Sequence, residues 1–142
     1  MNTLVIYSSQ TGFTQKYANW IAEDLQCKSI SIKEAKALSL EEYNTIIFGG
    51  WICAGSIKDI KVFIKKVQNL KNKKIGFFAV GASPKESSEL ISTLEKISEY
   101  LNKSVGNNNK IELFYCQGGL SYEKMNGASN LMMKFFVKML KA

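Results

Sequence analysis

Short apolar runs alternate with amphipathic stretches along most of this chain, and this alternation limits its possible folds more than any other feature. An apolar run of about five residues that ends in polar or glycine residues is typical of a buried strand, whereas apolar residues at helical spacing indicate a helix. The predicted strands are 3–7, 29–32, 45–48, 75–80 and 111–116. The predicted helices are 14–25, 60–67, 84–101 and 131–140, with a short extra helix within 34–43.

Strands and helices in this order predict parallel strands that are joined by helical crossovers. The 142 residues fit one domain, 1–142, with a three-layer α/β architecture. We expect a doubly wound sheet of five parallel strands with right-handed crossovers. Ligands of such sheets bind beyond the carboxyl ends of the strands, so the residues that directly follow each strand are the candidates for function.

Two helix starts carry a local signal. Ser83, Pro84 and Glu86 have the types expected at the N-cap, first and third positions of a helix, which predicts that the fourth helix begins there. Ser56 and Asp59 have the spacing of a capping box for the helix over 60–67.

The composition excludes several catalytic classes. The chain has no histidine, which removes Ser-His-Asp and Cys-His catalysis and histidine-bound zinc. The sequence shows that all 19 basic residues are lysines, and the three cysteines are far apart in the chain. We therefore predict no catalytic acid or base and no metal site, and we expect a reduced cytoplasmic protein. The net charge of +7 is compatible with an anionic partner or with a merely lysine-rich surface.

The segment after the first predicted strand is rich in hydroxyl groups. It reads Ser8-Ser9-Gln10-Thr11-Gly12-Phe13-Thr14 and precedes a predicted helix, whose free N–H groups favour an anion. It lacks the lysine of a Walker A loop, which binds nucleoside triphosphates, and it is not a G-x-G-x-x-G motif. Neutral hydroxyls and amides suit a terminal phosphate monoester, although a serine- and threonine-rich helix cap is the simpler alternative.

The spacing S-x-T-G-x-T, at Ser9, Thr11, Gly12 and Thr14, resembles the FMN phosphate loop of the flavodoxins. The resemblance extends over essentially the whole chain and implies a flavodoxin-like sandwich that binds FMN, with the five parallel strands in the order 2-1-3-4-5. It places the phosphate on the loop over 8–14, with backbone N–H groups of Gln10 and Phe13 contributing. It places the ring against the loops over 49–56 and 81–83. The expected cofactor-binding residues outside the phosphate loop are Gly50, Trp51, Ile52, Cys53, Ala54, Gly55, Gly81, Ala82 and Ser83.

Trp51 is expected to stack on the flavin from an exposed loop, or else to cover the core at the edge of the sheet. Backbone groups from Cys53 to Gly55 are expected near the ring. The aromatic residue that follows the second loop in many flavodoxins is missing, and so are acidic residues in both loops, while Lys58 and Lys85 lie nearby in sequence. We expect such surroundings to make the flavin a milder reductant than in an acidic flavodoxin.

The end of the chain resembles the flavodoxin-like group that includes menaquinone-dependent protoporphyrinogen oxidase. The resemblance rests on Gly118-Gly119 followed by Tyr122, and on the basic, methionine- and phenylalanine-rich helix predicted over 131–140. The helix segment 131–141 has a narrow lysine stripe and a wide apolar face. It is expected to pack on the sheet, with contact to a membrane surface or a partner as the alternative.

These observations favour an FMN-binding electron carrier that serves a redox partner protein or a quinone. The alternative is a flavin-dependent, quinone-linked oxidoreductase that resembles protoporphyrinogen oxidase. A third reading is a basic binding module without flavin. We expect no nucleic-acid partner and favour a monomer.

Overall fold

The computed structural model describes residues 2–8 and 12–117, which form six strands and four helices. The strands are β1 (Thr3–Tyr7), β2 (Lys28–Ser31), β3 (Thr45–Cys53), β4 (Ser56–Ile57), β5 (Lys74–Gly81) and β6 (Lys110–Gln117). The helices are α1 (Gly12–Leu25), α2 (Ile32–Ala35), α3 (Ile60–Val67) and α4 (Ser88–Ser104).

The sheet has the strand order β2-β1-β3-β5-β6, and all four neighbouring pairs in it are parallel. The predicted order of five parallel strands is therefore confirmed. The short strand β4 was not predicted and pairs antiparallel with the end of β3. Because the central strands are covered on both faces, their sequences are nearly continuous apolar runs rather than alternating ones.

Two apolar clusters cover the two faces of the sheet. The larger cluster joins alternate residues of β1, β3 and β5 to α2, α3 and α4. Its centre is aromatic, with Phe63 of α3 stacked on Phe48 at a centroid distance of 4.7 Å and edge-on to Phe77 at 5.6 Å. The smaller cluster joins the other face of the same strands to α1. Helices on both faces make the three-layer α/β architecture that the sequence predicts.

One predicted helix start and one predicted capping box are wrong, whereas α3 spans the predicted residues 60–67. Helix α4 begins at Ser88 with Ser87 as its N-cap, and the Ser87 side chain accepts a hydrogen bond from the Leu90 N–H. Pro84 lies before the helix in a turn that the hydrogen bond from Ser87 N–H to Pro84 O closes at 3.0 Å. The box of Ser56 and Asp59 does not form, because Ser56 lies in β4 and Asp59 makes no side-chain bond to its helix.

The extra helix expected within 34–43 is shorter and earlier than predicted. Helix α2 spans only four residues and is stabilised by a capping box, in which Ser31 Oγ accepts from Glu34 N–H at 3.2 Å. None of the described helices is long and apolar enough to cross a membrane. Gly118, Gly119, Tyr122 and the helix predicted over 131–140, with its expected surface contacts, lie outside the described residues.

Candidate functional site

The carboxyl ends of the parallel strands bring three of the predicted segments to one edge of the sheet. The register pairs Tyr7 with Gly49 at the end of β1, and Trp51 with Val80 farther along β3 and β5. Ser8, the β3–β4 hairpin and the segment 81–83 therefore lie at neighbouring strand ends. This is the edge at which ligands of such sheets bind.

Ser8 is tied to two neighbours at the end of β1. Its N–H donates to Gly49 O at 2.9 Å, and its Oγ donates to Asp59 Oδ2 at 2.6 Å. A serine hydroxyl has a single hydrogen to donate. Since that hydrogen points to a carboxylate, and Ser8 is 3% exposed, the side chain anchors the strand end and its hydroxyl hydrogen is already donated.

Asp59 is a residue of this edge that the sequence reasoning missed. It has a left-handed backbone conformation, with φ 63° and ψ 13°, at the N-cap position of α3. The sequence placed it in a local capping box, and no local signal indicates that its partner lies 51 residues away. Its carboxylate brings a negative charge to the end of β1, although the predicted loops themselves contain no acidic residue.

Helix α1 begins at the same edge, at Gly12. Its first turn contains no acidic residue, so no carboxylate on the helix opposes an anion at this terminus. Thr14 is 1% exposed. The Phe13 side chain packs against the smaller apolar cluster, so the polar groups of Phe13 are those of its backbone. Ser9, Gln10 and Thr11, three of the predicted phosphate-binding residues, lie outside the described residues.

The segment predicted as a loop over 49–56 is largely a hairpin. Strand β3 continues to Cys53, and Ile52 and Cys53 pair with Ile57 and Ser56 of β4. Positive φ values of 51° at Ala54 and 81° at Gly55 form the tight turn between the strands. Cys53 is exposed at this tip. The prediction of a loop failed because the turn needs only two residues.

Trp51 lies inside β3 and is half-buried, so the expectation of an exposed loop tryptophan is wrong. Its side chain packs against the smaller apolar cluster beneath α1. This packing is the core contact that the sequence left open as the alternative, and stacking of Trp51 on a flavin stays a prediction.

Gly50 lies where the hairpin folds back on β3. A Cβ on Gly50 would lie 2.9 Å from Lys58 O and 2.9 Å from Ile57 Cγ2. The Lys58 N–H donates to Trp51 O at 2.8 Å. The glycine thus permits the close approach of two backbones, which is a packing role.

The segment over 81–83 follows β5 and is held by β6. Tyr115 Oη donates to Ser83 O at 2.6 Å, and a Cβ on Gly81 would lie 3.0 Å from Tyr115 Oη. Burial raises the pKa of the Tyr115 hydroxyl, so it stays protonated and donating at neutral pH. Ala82 and Ser83 are exposed beside it. This contact fixes the path of the chain at the end of β5.

Cys116 is the buried thiol closest to this edge. Burial raises the pKa of Cys116 well above its ordinary value, and the charge of Lys85 lowers it by a smaller amount. A fully protonated, buried thiol is a poor nucleophile, which excludes thiolate chemistry at Cys116.

Comparison with known proteins gives consistent results. The Flavodoxin domain family matches residues 4–142. The flavodoxin-like domain-containing protein BilS of Clostridioides difficile strain CD3 is 31% identical over 130 residues, which cover 85% of this chain and 68% of that protein.

Two solved structures share the fold. Oxidised flavodoxin 1 from Bacillus cereus has a TM-score of 0.68 at 18% identity, over 99% of this chain and 98% of that chain. A flavoprotein in complex with FMN from Lactobacillus acidophilus NCFM has a TM-score of 0.58 at 15% identity, over 80% and 92% of the respective chains. Family and fold agree with the strand order, and the chain belongs to the flavodoxin domain family.

Proposed function

We propose that this protein binds FMN at the carboxyl edge of its sheet and transfers electrons to a partner. The observation that carries the proposal is the junction of three strand ends beside the N-terminus of α1, in a chain of the flavodoxin domain family. The basic hydroxyl-rich composition and the lack of histidine are compatible with electron transfer, which requires no catalytic acid or base.

The donor groups at this edge fit a phosphate monoester in their chemistry. They are neutral, with backbone N–H groups in the first turn of α1 and the hydroxyl of Thr14 in that turn. Ser9, Thr11 and Gly12 complete the proposed set, with backbone N–H groups of Gln10 and Phe13. Ser8 anchors the end of β1 beside this set, because its N–H is bonded to Gly49 O and its hydroxyl hydrogen to Asp59.

The ring is proposed to lie between the hairpin tip and the segment 81–83. Cys53, Ala54 and Gly55 would present backbone groups to it, and no described atom lies within 4 Å of a Cβ placed on Gly55. Gly81, Ala82 and Ser83 would border the opposite side, at the position that Tyr115 holds. Gly50, Trp51 and Ile52 would support this site from within β3. When bound, FMN supplies reversible one- and two-electron chemistry.

The experiment that tests the proposal is a titration of the purified protein with FMN, followed by fluorescence and the visible spectrum. We expect saturable binding with quenched flavin fluorescence. Thr14→Val should weaken binding by about tenfold, the effect of losing roughly 1.4 kcal/mol of hydrogen bonding. Thr3→Val, which removes a buried hydroxyl at the other end of β1, is the matched control and should leave binding unchanged.

The identity of the acceptor is tested on the reduced protein. Rapid reoxidation by a one-electron protein acceptor and slow reoxidation by a soluble quinone would support the carrier. The opposite preference would favour the quinone-linked oxidoreductase and the protoporphyrinogen oxidase group. A protein that does not bind FMN would refute both the electron carrier and the quinone-linked oxidoreductase. That result would favour the basic binding module.

A further inference from the structure

We propose that Asp59 is a positioning residue for the cofactor phosphate and acts through Ser8. This inference rests on the proposed function, since it assigns a role in FMN binding to a side chain outside the predicted phosphate loop. The proposal is that Asp59 fixes the point and direction at which the chain leaves β1 toward α1.

The backbone of Asp59 lies in a conformation that residues other than glycine rarely adopt, with φ 63°. Aspartate tolerates this region better than most residues because its short polar side chain forms compensating hydrogen bonds. At the N-cap of a helix, that bond normally goes to an N–H of the same helix. Asp59 makes no such bond to α3.

The carboxylate of Asp59 instead accepts the hydroxyl hydrogen of Ser8. The distance of 2.6 Å between Oγ and Oδ2 is typical of a charge-assisted O–H···O⁻ bond, which is stronger than a neutral one. Instead of capping α3, the Asp59 side chain therefore connects the start of α3 to the end of β1.

The bond to Asp59 restricts the side chain of Ser8, whereas the hydrogen bonds of the sheet restrict only its backbone. The Ser8 N–H is held by Gly49 O in the plane of the strands, and its Oγ is held by Asp59. Only residues 9–11 separate Ser8 from Gly12, where α1 begins. Both ends of this short connection are therefore fixed, which reduces the conformational entropy lost when its amides and hydroxyls bind a phosphate.

Direct binding of phosphate by Asp59 is excluded by charge, because a carboxylate repels a phosphate dianion. Its contribution has to be transmitted through Ser8. Loss of the carboxylate should therefore weaken the binding of FMN, which carries the phosphate. The binding of riboflavin, which lacks the phosphate, should be almost unchanged.

The test compares Asp59→Gly with Asn72→Gly. Asn72 has nearly the same backbone, with φ 62°, in the turn that leads into β5 at the opposite edge of the sheet. Glycine suits the left-handed conformation at both positions, so both variants should fold, and only the first loses the bond to Ser8. Circular dichroism and thermal unfolding check the fold of each variant.

We expect Asp59→Gly to raise the Kd for FMN by about tenfold or more and the Kd for riboflavin by less than about threefold. Asn72→Gly should change neither. Asp59→Asn, which keeps a side-chain acceptor, should restore most of the FMN affinity. Ser8→Ala should match Asp59→Gly, and the double variant should be no worse than either single one, because both remove the same bond.

Two results would overturn the inference. One is an unchanged FMN affinity in both Asp59→Gly and Ser8→Ala. The other is an equal loss of FMN and riboflavin affinity, which would mean that Asp59 supports the whole site and not the phosphate segment. If the wild-type protein binds no FMN, the proposed function itself fails and this inference falls with it, so the two failures are distinguishable.

Discussion

Gly49 in β3 is a position at which one methyl group should destabilise the whole domain. A Cβ on Gly49 would lie 1.9, 2.1 and 2.2 Å from Cζ, Cε2 and Cε1 of Phe78. Carbon atoms in contact lie about 3.5–4.0 Å apart, so the ring would have to move by roughly 1.5 Å or more. Phe78 is fully buried in the smaller apolar cluster, and this movement has little room.

The expected cost of Gly49→Ala follows from this overlap. Overpacking a core by one methyl group typically costs about 1–3 kcal/mol, and the depth of the overlap places this case near 3 kcal/mol. Each kcal/mol corresponds to roughly 2–4 °C for a domain slightly larger than this one. We therefore expect thermal unfolding, followed by circular dichroism, to show a Tm about 6–12 °C lower than that of the wild type.

A second substitution tests whether the ring is the cause. Phe78→Leu removes the three ring carbons that the methyl group would meet. In that background Gly49→Ala should cost much less, so the double-mutant cycle should give a favourable coupling of about 1–2 kcal/mol. A Tm within about 1 °C of the wild type for Gly49→Ala alone, or no coupling to Phe78, would refute the reasoning.

Three further predictions concern stability, each measured by urea unfolding. The Asn109 side chain accepts a hydrogen bond from Lys73 N–H and donates to two backbone carbonyls, one after α3 and one at the end of α4. Asn109→Ala should therefore lower the unfolding free energy by about 2–4 kcal/mol, and a decrease below about 1 kcal/mol would contradict this. Within residues 2–8 and 12–117 the buried Oγ1 of Thr3 finds no hydrogen-bond partner, so Thr3→Val should stabilise by about 1 kcal/mol, and destabilisation would contradict it. Burial raises the pKa of Cys116, so the unfolded chain loses this proton first as pH rises. The unfolding free energy should therefore fall above about pH 8.5, by up to roughly 1.4 kcal/mol per pH unit, and less steeply in Cys116→Ala; an equal slope would contradict it.

The parallel sheet was predictable because apolar runs that alternate with amphipathic helices are features local in sequence, whereas the order of its strands came from the resemblance to the flavodoxins. The apolar runs of β1, β3 and β5 are buried on both faces, as expected for a parallel sheet that helices cover on both sides. The same reasoning located the strand ends, and therefore the edge of the sheet at which function is proposed.

The errors of the prediction share a physical cause, which is competition from partners that are distant in sequence. The spacing of Ser56 and Asp59 favours a local cap, but Asp59 bonds to Ser8, 51 residues away. The carbonyl of Ser83, at the predicted start of α4, accepts from Tyr115, 32 residues away, and the helix begins only after Ser87. Local spacing contains no information about either contact.

The glycine pair of β3 illustrates how a packing requirement can resemble a cofactor signal. In sequence, Gly49-Gly50 follows an apolar strand, and the resemblance to the flavodoxins places Gly50 among the residues expected to bind the flavin. In the fold, the ring of Phe78 occupies the space beside Gly49, and Lys58 O occupies the space beside Gly50. Substitution of either glycine should therefore lower stability whether or not FMN binds, and cannot test a contact with the cofactor. Gly55 is the informative position, because no atom of residues 2–8 and 12–117 lies within 4 Å of a Cβ placed there, and its φ of 81° is the restriction seen within that part of the chain. Gly55→Asn, which tolerates that backbone, should retain the fold and change flavin binding only if the hairpin tip contacts the ring.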